Sequence, residues 1–168
     1  MLISVNKFGG LKYIVYLCNQ KSRRGVEIEI HSILKSMTQE EEKLVLQDLC
    51  ARLAHGVMCN MGLEFPLQLQ RIFVDKVDGI LLDFYADGNE YQVYLSEVKP
   101  YLRPLSSMTE EEKEEYCNLK CKFLCSGQYP VTDAYEFFEW LNAHHFDYRG
   151  LIPRGLALEA PEDMYNFK

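Results

Sequence analysis

The stretch that decides the fold is residues 67–95, LQLQRIFVDKVDGILLDFYADGNEYQVYL. It contains three β-prone segments, 67–74, 80–85 and 90–95, which are rich in branched aliphatic and aromatic residues. Two short segments rich in Asp, Gly and Asn separate them, and these residues tolerate the backbone angles of tight turns. Consecutive strands joined by short turns pair antiparallel, so the stretch predicts a three-stranded antiparallel meander.

Further strands are predicted around this meander. Residues 56–60 form one candidate, and the N-terminal segments 11–17 and 26–30 are also β-prone, the latter in strict alternation. The polar stretch 19–25 is turn-like, so the N-terminal pair is predicted as a hairpin or as two strands on one edge. The sheet is therefore expected to contain three to five strands.

The first helix is marked by its capping residues. Thr38 and Glu41 form a capping box, and acidic residues in the first turn match the positive end of the helix. Three leucines follow at helical spacing, and Gly56 occupies the place of a left-handed C-cap. This pattern predicts an amphipathic helix over about 38–54.

Two more helices are predicted in the C-terminal half. A capping box that begins at Thr109 opens a helix reaching about residue 125. A third helix is predicted to begin at Thr132 or Asp133, where Asp133 and Glu136 form another box, and to reach about residue 144. Prolines between the meander and the first of these helices are expected to interrupt regular structure. The segment after Asp147 is punctuated by Gly and Pro and is expected to be irregular.

These elements predict an α+β fold, with a small antiparallel sheet of three to five strands and about three helices packed on it. The charge divides the chain: residues 1–36 carry six basic and two acidic groups, or +4, whereas 37–168 carry 12 and 23, or −11. We therefore expect a basic, β-prone extension over 1–36 and a single α+β domain over 37–168. An alternative interpretation places the biological start at Met37.

Composition excludes several classes of function. The 168-residue chain has a net charge of −7 and is 48% hydrophobic, which is ordinary for a globular protein. No apolar run is long enough to span a membrane, and the acidic balance argues against non-specific binding to nucleic acid.

The six cysteines are interpreted as free thiols in a reducing cytoplasm. They are Cys18, Cys50, Cys59, Cys117, Cys121 and Cys125. No secretory signal precedes them, and the last three are spaced by four residues, which places them on one helix face. A zinc site on that face is disfavoured because there is no C-x-x-C pair and one straight helix cannot complete a tetrahedron. We therefore expect buried core thiols, no metal and no cofactor.

Three segments together resemble a known group of proteins. They are LQDLCARL at 46–53, VKPYLRPLSSMTEEE at 98–112 and HHFDYRGLIPRGLALEAP at 144–161. In this order the chain resembles uncharacterised accessory proteins of Bacteroides species and of the gut phages that infect them, over roughly 37–168. The resemblance implies a bacterial or phage cytoplasm, and typical members begin near the position of Met37. It assigns no catalytic role to any residue.

The candidate binding residues are polar and aromatic side chains in the irregular segments, where functional residues are common. They are Tyr101, Arg103, His144, His145, Asp147, Tyr148, Arg149 and Arg154. Arg and Tyr are typical interface residues and could clamp a phosphate, a base or a partner loop. Two alternatives stay open: the two segments pack on each other with Arg paired to acids, and the histidines mark a helix C-terminus.

The favoured function is non-catalytic binding by a phage or mobile-element accessory protein in the host cytoplasm. Its partner would be a host protein or a small phosphorylated ligand. The most specific form of this hypothesis is that the protein counters host defence by binding a defence protein or its nucleotide signal. One alternative is a small metal-dependent hydrolase that uses His144, Asp147 and His55. Another is a self-assembling structural protein. No nucleotide-binding or hydrolase motif is present, so the sequence gives no positive reason to propose an enzyme.

Overall fold

A six-stranded mixed sheet organises the fold. The computed structural model describes residues 37–75, 79–125 and 131–165, and of Cys125 it describes the backbone alone. The strands are β1 (Met58–Asn60), β2 (Leu67–Asp75), β3 (Gly79–Ala86), β4 (Asn89–Tyr94), β5 (Lys99–Leu102) and β6 (Leu158–Glu159). Their order is β4-β3-β2-β1-β5-β6, and every neighbouring pair is antiparallel except β5 with β6.

The helices are α1 (Gln39–Arg52), α2 (Glu110–Cys125) and α3 (Val131–Ala143). The α+β class and three helices are therefore confirmed for the described residues. The predicted N-terminal strands, like the rest of 1–36, lie outside them. The part of the chain that the structure describes has no helix of the length and hydrophobicity that a membrane crossing requires.

The predicted meander is confirmed as β2, β3 and β4. β3 and β4 are joined by the two-residue loop Asp87–Gly88, in which both residues have positive φ, 50° and 77°. Such a loop matches the twist of the strands that it connects, and Gly at its second position adopts this angle without steric cost. The register between β2 and β3 shifts between Leu69 and Arg71. As a result, Leu69 and Arg71 point to opposite faces of the sheet, although residues two apart in a regular strand share a face.

The number of strands was predicted too low. Residues 56–60 do supply β1, but β5 and β6 add two strands that the sequence did not predict. The expectation that Pro100 would break regular structure is wrong: it is buried inside β5, opposite Cys59. β6 pairs with β5 only at Tyr101 and Leu102, so the proline lies before that pairing starts, where a missing N–H is tolerated.

α1 follows its sequence signals closely. The Thr38 hydroxyl accepts the Glu41 N–H at 3.2 Å, and the Glu41 carboxylate accepts the Thr38 N–H at 2.8 Å. After a short 3-10 turn, the chain leaves the helix through Gly56 at φ 72°. The predicted capping box and C-cap are both confirmed.

α2 and α3 pack together around aromatic side chains. Met108, Phe137, Trp140, Leu141 and Phe146 form their buried cluster. The box at Thr109 is confirmed, since Glu112 N–H donates to the Thr109 hydroxyl at 3.2 Å. The box at Asp133 is wrong because α3 begins two residues earlier, at Val131; Asp133 is buried within its first turn.

The cysteine expectation is only partly correct. Cys59 is buried in the core cluster that the sheet forms with α1, and burial raises its pKa. Cys50, Cys117 and Cys121 are exposed, so they are not core thiols. In α2, Tyr116, Leu119 and Phe123 occupy the packing face instead, and they turn the neighbouring thiols toward solvent.

Candidate functional site

The structure brings the two predicted binding segments together through the backbone. Arg103 N–H donates to the His145 carbonyl at 2.8 Å, and Asp147 N–H donates to the Arg103 carbonyl at 2.7 Å. These bonds align residue 103, which follows β5, with the chain that leaves α3. The predicted residues Arg103 and 144–149 therefore form one neighbourhood.

Asp147 holds the turn that follows it. Its two carboxylate oxygens accept the N–H groups of Leu151 and Ile152, each at 2.8 Å. Gly150, which lies between Asp147 and these two residues, has φ 72°, a left-handed angle that glycine adopts without strain. Charge-assisted bonds to backbone N–H groups stabilise such turns, so this carboxylate organises the loop.

His145 is buried and neutral. Its Nε2 lies 3.2 Å from the His55 carbonyl, which can only accept, so this nitrogen carries the proton. The ring stacks on Tyr165 with 3.7 Å between centroids. Burial, reinforced by the nearby Arg52 charge, lowers the pKa of His145 to about 3. The residue sits at φ 56°, a left-handed angle that is uncommon outside glycine.

His144 and His55 have separate partners. The Nδ1 of His144 lies 2.9 Å from the Trp140 carbonyl, and the two rings are 4.4 Å apart. The Nε2 of His55 lies 3.1 Å from the Glu139 carboxylate. Within the described residues, no group of three or more His, Cys, Asp or Glu side chains is placed to hold a metal ion.

A fully buried ion pair that sequence reasoning missed lies beneath this neighbourhood. The Arg52 guanidinium contacts the Asp48 carboxylate at 2.8 and 3.1 Å, and both side chains are inaccessible to solvent. Arg52 also donates to the Phe146 carbonyl at 2.8 Å and to the Leu141 carbonyl at 3.4 Å. It therefore ties α1 to the end of α3. The one sequence signal was an Asp and an Arg four residues apart among the apolar positions of α1.

Arg149 shares the carboxylate of that pair. Its Nε lies 3.3 Å from Asp48 Oδ1, and its guanidinium carbon lies 4.9 Å from the centroid of the Tyr148 ring. One buried carboxylate thus faces two guanidinium groups, which leaves an excess positive charge. The Arg149 side chain is 27% exposed, so part of that charge reaches the surface.

The remaining candidates are dispersed around this neighbourhood. Arg103 pairs with the Glu112 carboxylate at 2.7 and 2.8 Å, and these hydrogen bonds lower the pKa of Glu112. The Tyr101 hydroxyl accepts from Asn60 at 3.1 Å, on the β1–β5 side of the sheet. Arg154 is exposed in the loop beyond Gly150.

A second surface, which sequence reasoning also missed, lies on the solvent side of the meander. We call it the meander face. It consists of Arg71, Phe73, Leu81, Asp83, Tyr85, Glu90, Gln92 and Tyr94, which the strand registers place on one side. Three of its aromatic side chains are well exposed: Phe73 by 42%, Tyr85 by 48% and Tyr94 by 39%.

Arg71 lies at the centre of the meander face. Its guanidinium carbon is 5.5 Å from the Phe73 ring centroid and 5.6 Å from that of Tyr85. It contacts the carboxylate of Glu90, and its Nε lies 3.2 Å from Asp83. The Tyr85 hydroxyl donates to Glu90 at 2.8 Å, and this bond raises the pKa of Tyr85. The arginine is thus held next to two aromatic rings and two carboxylates.

Asp83 is covered although it lies on the solvent side of the sheet. The residue is only 1% exposed, and Gln92 Nε2 donates to it at 2.9 Å while Arg71 covers it from β2. Its charge is satisfied within the sheet, so the surface presents aromatic rings and a paired arginine rather than a bare acid. Alternation along 90–95 was a sequence signal for this face, but the bulge in β2 hid its continuation.

Comparisons with models of known protein families, with curated proteins and with solved structures give no match to this chain.

Proposed function

We propose that this is a non-catalytic binding protein that engages a partner protein through the meander face. The observation that carries the proposal is the Arg71 guanidinium held next to the exposed rings of Phe73 and Tyr85. Arginine and large aromatic residues carry most of the energy at protein interfaces, and here they are already positioned. Preorganised side chains lose little conformational entropy on binding.

The contacts of the predicted loop residues support a binding role over catalysis. Asp147 holds a turn, His145 is buried with its pKa at about 3, and Arg103 is paired with Glu112. Acid–base catalysis needs a titratable group near the working pH that reaches substrate, and these groups are committed to internal contacts.

The cellular setting rests on the resemblance described above. Accessory proteins of Bacteroides species and their phages act in the bacterial cytoplasm, so the partner we propose is a host protein there. Occupation of a defence protein by the meander face is the specific form of the proposal.

A matched set of variants tests this function. We would compare the wild-type protein with Phe73→Ser and Tyr94→Ser, and use Tyr135→Ser on α3, an aromatic residue that is 65% exposed, as the control. A partner recovered from host lysate with wild-type protein is purified, and its affinity for each variant is measured by calorimetry. Loss of one hot-spot residue costs about 2 kcal/mol, or roughly thirtyfold in affinity.

The outcomes separate the alternatives clearly. We expect Phe73→Ser and Tyr94→Ser to weaken binding while Tyr135→Ser leaves it unchanged, with circular dichroism showing all three to be folded. Equal binding by all variants would contradict a contact at the meander face. A loss of binding confined to Tyr135→Ser would indicate that the partner contacts α3 instead.

A small phosphorylated ligand is a second candidate, favoured by the excess positive charge at Arg149. Arginine beside an aromatic ring suits a phosphate next to a base or sugar. Native mass spectrometry with a panel of nucleotides tests it. Binding that disappears in Arg149→Lys but persists in Arg154→Lys would support this site, since lysine keeps the charge but loses the planar guanidinium. Absence of any adduct with wild-type protein would remove it.

A further inference from the structure

β4 is the end strand of the sheet in the described part of the chain, and the hairpin fixes which of its backbone groups face outward. The two-residue loop makes its flanking residues, Ala86 and Asn89, a hydrogen-bonded pair, and such pairs then alternate along the strands. Glu90 and Gln92 therefore belong to non-hydrogen-bonded pairs with β3. Their N–H and C=O groups therefore point away from β3, toward the open side of the sheet.

Three devices that commonly protect an edge strand, a lysine, a proline and a β-bulge, are absent from β4 itself. Its sequence, NEYQVY, contains no lysine and no proline, and its register with β3 runs without a shift. Its charged side chain, Glu90, is paired with Arg71, which also pairs with Asp83. The strand is thus six residues long and uninterrupted, and its one acidic side chain is held in an ion pair, which are properties of an edge that accepts another strand.

We propose that β4 pairs antiparallel with β4 of a second copy of this chain, about a two-fold axis at Gln92. The direction of the outward groups allows two-fold registers centred on residue 91, 92 or 93. The register centred on Val93 aligns only 92–94 of each strand, whereas the one centred on Gln92 aligns 90–94. The register centred on Tyr91 places that ring against its own copy and leaves Tyr94 outside the ladder.

Charge and shape are self-complementary in the Gln92-centred register. Glu90 lies opposite Tyr94 of the second copy, so the two Glu90 carboxylates stay apart. On the core side, Tyr91 lies opposite Val93 of the second copy, an aromatic and β-branched pair of the kind that stabilises antiparallel ladders. The two Gln92 residues exchange backbone hydrogen bonds at the axis. The Tyr94 N–H keeps its present acceptor, Glu97, at 3.4 Å.

Pairing in this register joins the two meander faces. The row formed by Phe73, Leu81 and Tyr94 continues into Glu90 and Tyr85 of the second copy. The inference goes beyond the proposed function because it names a second copy, an edge and a register, and it holds whichever protein binds the face. Its consequence is a doubled aromatic surface on one continuous sheet.

Analytical ultracentrifugation of the full chain, with a charge introduced at the two-fold axis, tests the proposal. Wild-type protein is expected to show a monomer–dimer equilibrium between roughly 1 μM and 1 mM, the range suited to a small interface. Gln92→Lys places two ammonium groups opposite each other. The Asp83 carboxylate beside each of them is already paired with Arg71, so we expect the dimer to weaken about tenfold. The control is Gln70→Lys, an exposed glutamine on β2, which should leave the equilibrium unchanged.

The sign of the effect reports the register. In the Tyr91-centred register, the Gln92→Lys ammonium would face Glu90 of the second copy and strengthen the dimer, which would overturn the proposed axis. Gln92→Pro compared with Gln92→Ala gives an independent test, since both variants lose the side-chain bond to Asp83 and only the proline also deletes an outward backbone N–H. A wild-type protein that stays monomeric over the whole range, or a Gln92→Pro variant that dimerises normally, refutes the proposal.

Discussion

The burial of His145 predicts a specific dependence of stability on pH. In the folded chain the pKa of His145 is lowered to about 3, first by burial and then by the charge of Arg52. In the unfolded chain an exposed imidazole has a pKa of about 6.5. Because folding favours the neutral ring, the contribution of this residue is complete above about pH 6.5 and is lost as the pH falls toward about 3.

The magnitude follows from the two pKa values. At pH 5 the unfolded state binds nearly one proton more than the folded state, and the free energy of unfolding is lower by about 2 kcal/mol than at neutral pH. The variant His145→Asn should lack this loss. Asparagine is suitable because it tolerates the left-handed backbone angle, φ 56°, that the residue adopts. The other titratable groups are the same in both proteins, so their contributions cancel in the difference.

Urea unfolding at pH 7 and pH 5 measures this difference. The single tryptophan, Trp140, is buried between α2 and α3 and reports unfolding by fluorescence, while far-ultraviolet circular dichroism provides a second probe. The second probe matters because the ring of His144 lies 4.4 Å from Trp140 and its protonation affects the emission. If wild-type protein and His145→Asn lost the same stability between the two pH values, His145 would not be held neutral by the fold.

Three further substitutions test the internal contacts by urea unfolding. Arg52→Met leaves the buried Asp48 carboxylate without its main partner and should cost about 3–5 kcal/mol, whereas Arg154→Met on the surface should change stability by less than about 0.5 kcal/mol. Asp147→Ala removes both acceptors of the following turn and should cost about 1–3 kcal/mol, and an unchanged midpoint would contradict its role there. Gly56→Ala imposes a side chain at φ 72° and should cost about 1 kcal/mol, so a stabilised variant would contradict the left-handed cap.

Elements specified by local interactions were predictable from the sequence. The helix starts at Thr38 and Thr109 are capping boxes, in which four consecutive residues satisfy each other's backbone groups. The β3–β4 hairpin is similar, because its loop is specified by an Asp–Gly pair between alternating strands. In each case the interacting residues are close in sequence, so the pattern and the contact coincide.

Elements specified by distant contacts were not predictable. β5 pairs with β1, some 40 residues earlier, and with β6, which is later by more than 50 residues. β6 is only two residues long and has no pattern of its own. Pro100 was interpreted as a break because local rules place proline outside sheets, and tertiary pairing overrode that rule. Asp133 matched a capping pattern by chance, since α3 begins before it.

The candidate functional residues also divide into those indicated by local sequence and those that only distant contacts bring together. The predicted set was placed in irregular segments that carry charge and aromatic rings. Tyr101 instead lies in β5, and the structure joins most of the others into one neighbourhood. Its central contact, Arg52 with Asp48 and the carbonyls at the end of α3, joins residues about 90 positions apart. The meander face was missed because a single bulge at residue 70 shifts the alternation of β2, so Arg71 and Phe73 do not continue the pattern of Leu67 and Leu69.

The location of the two surfaces decides how clearly each can be tested. Substitutions around His145 and Asp147 remove contacts that hold the chain together, so a loss of binding there would be mixed with a loss of stability. On the meander face, Phe73 and Tyr94 are about 40% exposed, and their replacement removes little of the packed core. Surface substitutions of this kind usually change stability by less than about 0.5 kcal/mol, whereas loss of a hot-spot residue changes binding by about 2 kcal/mol. A binding defect in a folded meander-face variant is therefore attributable to contact with the partner itself.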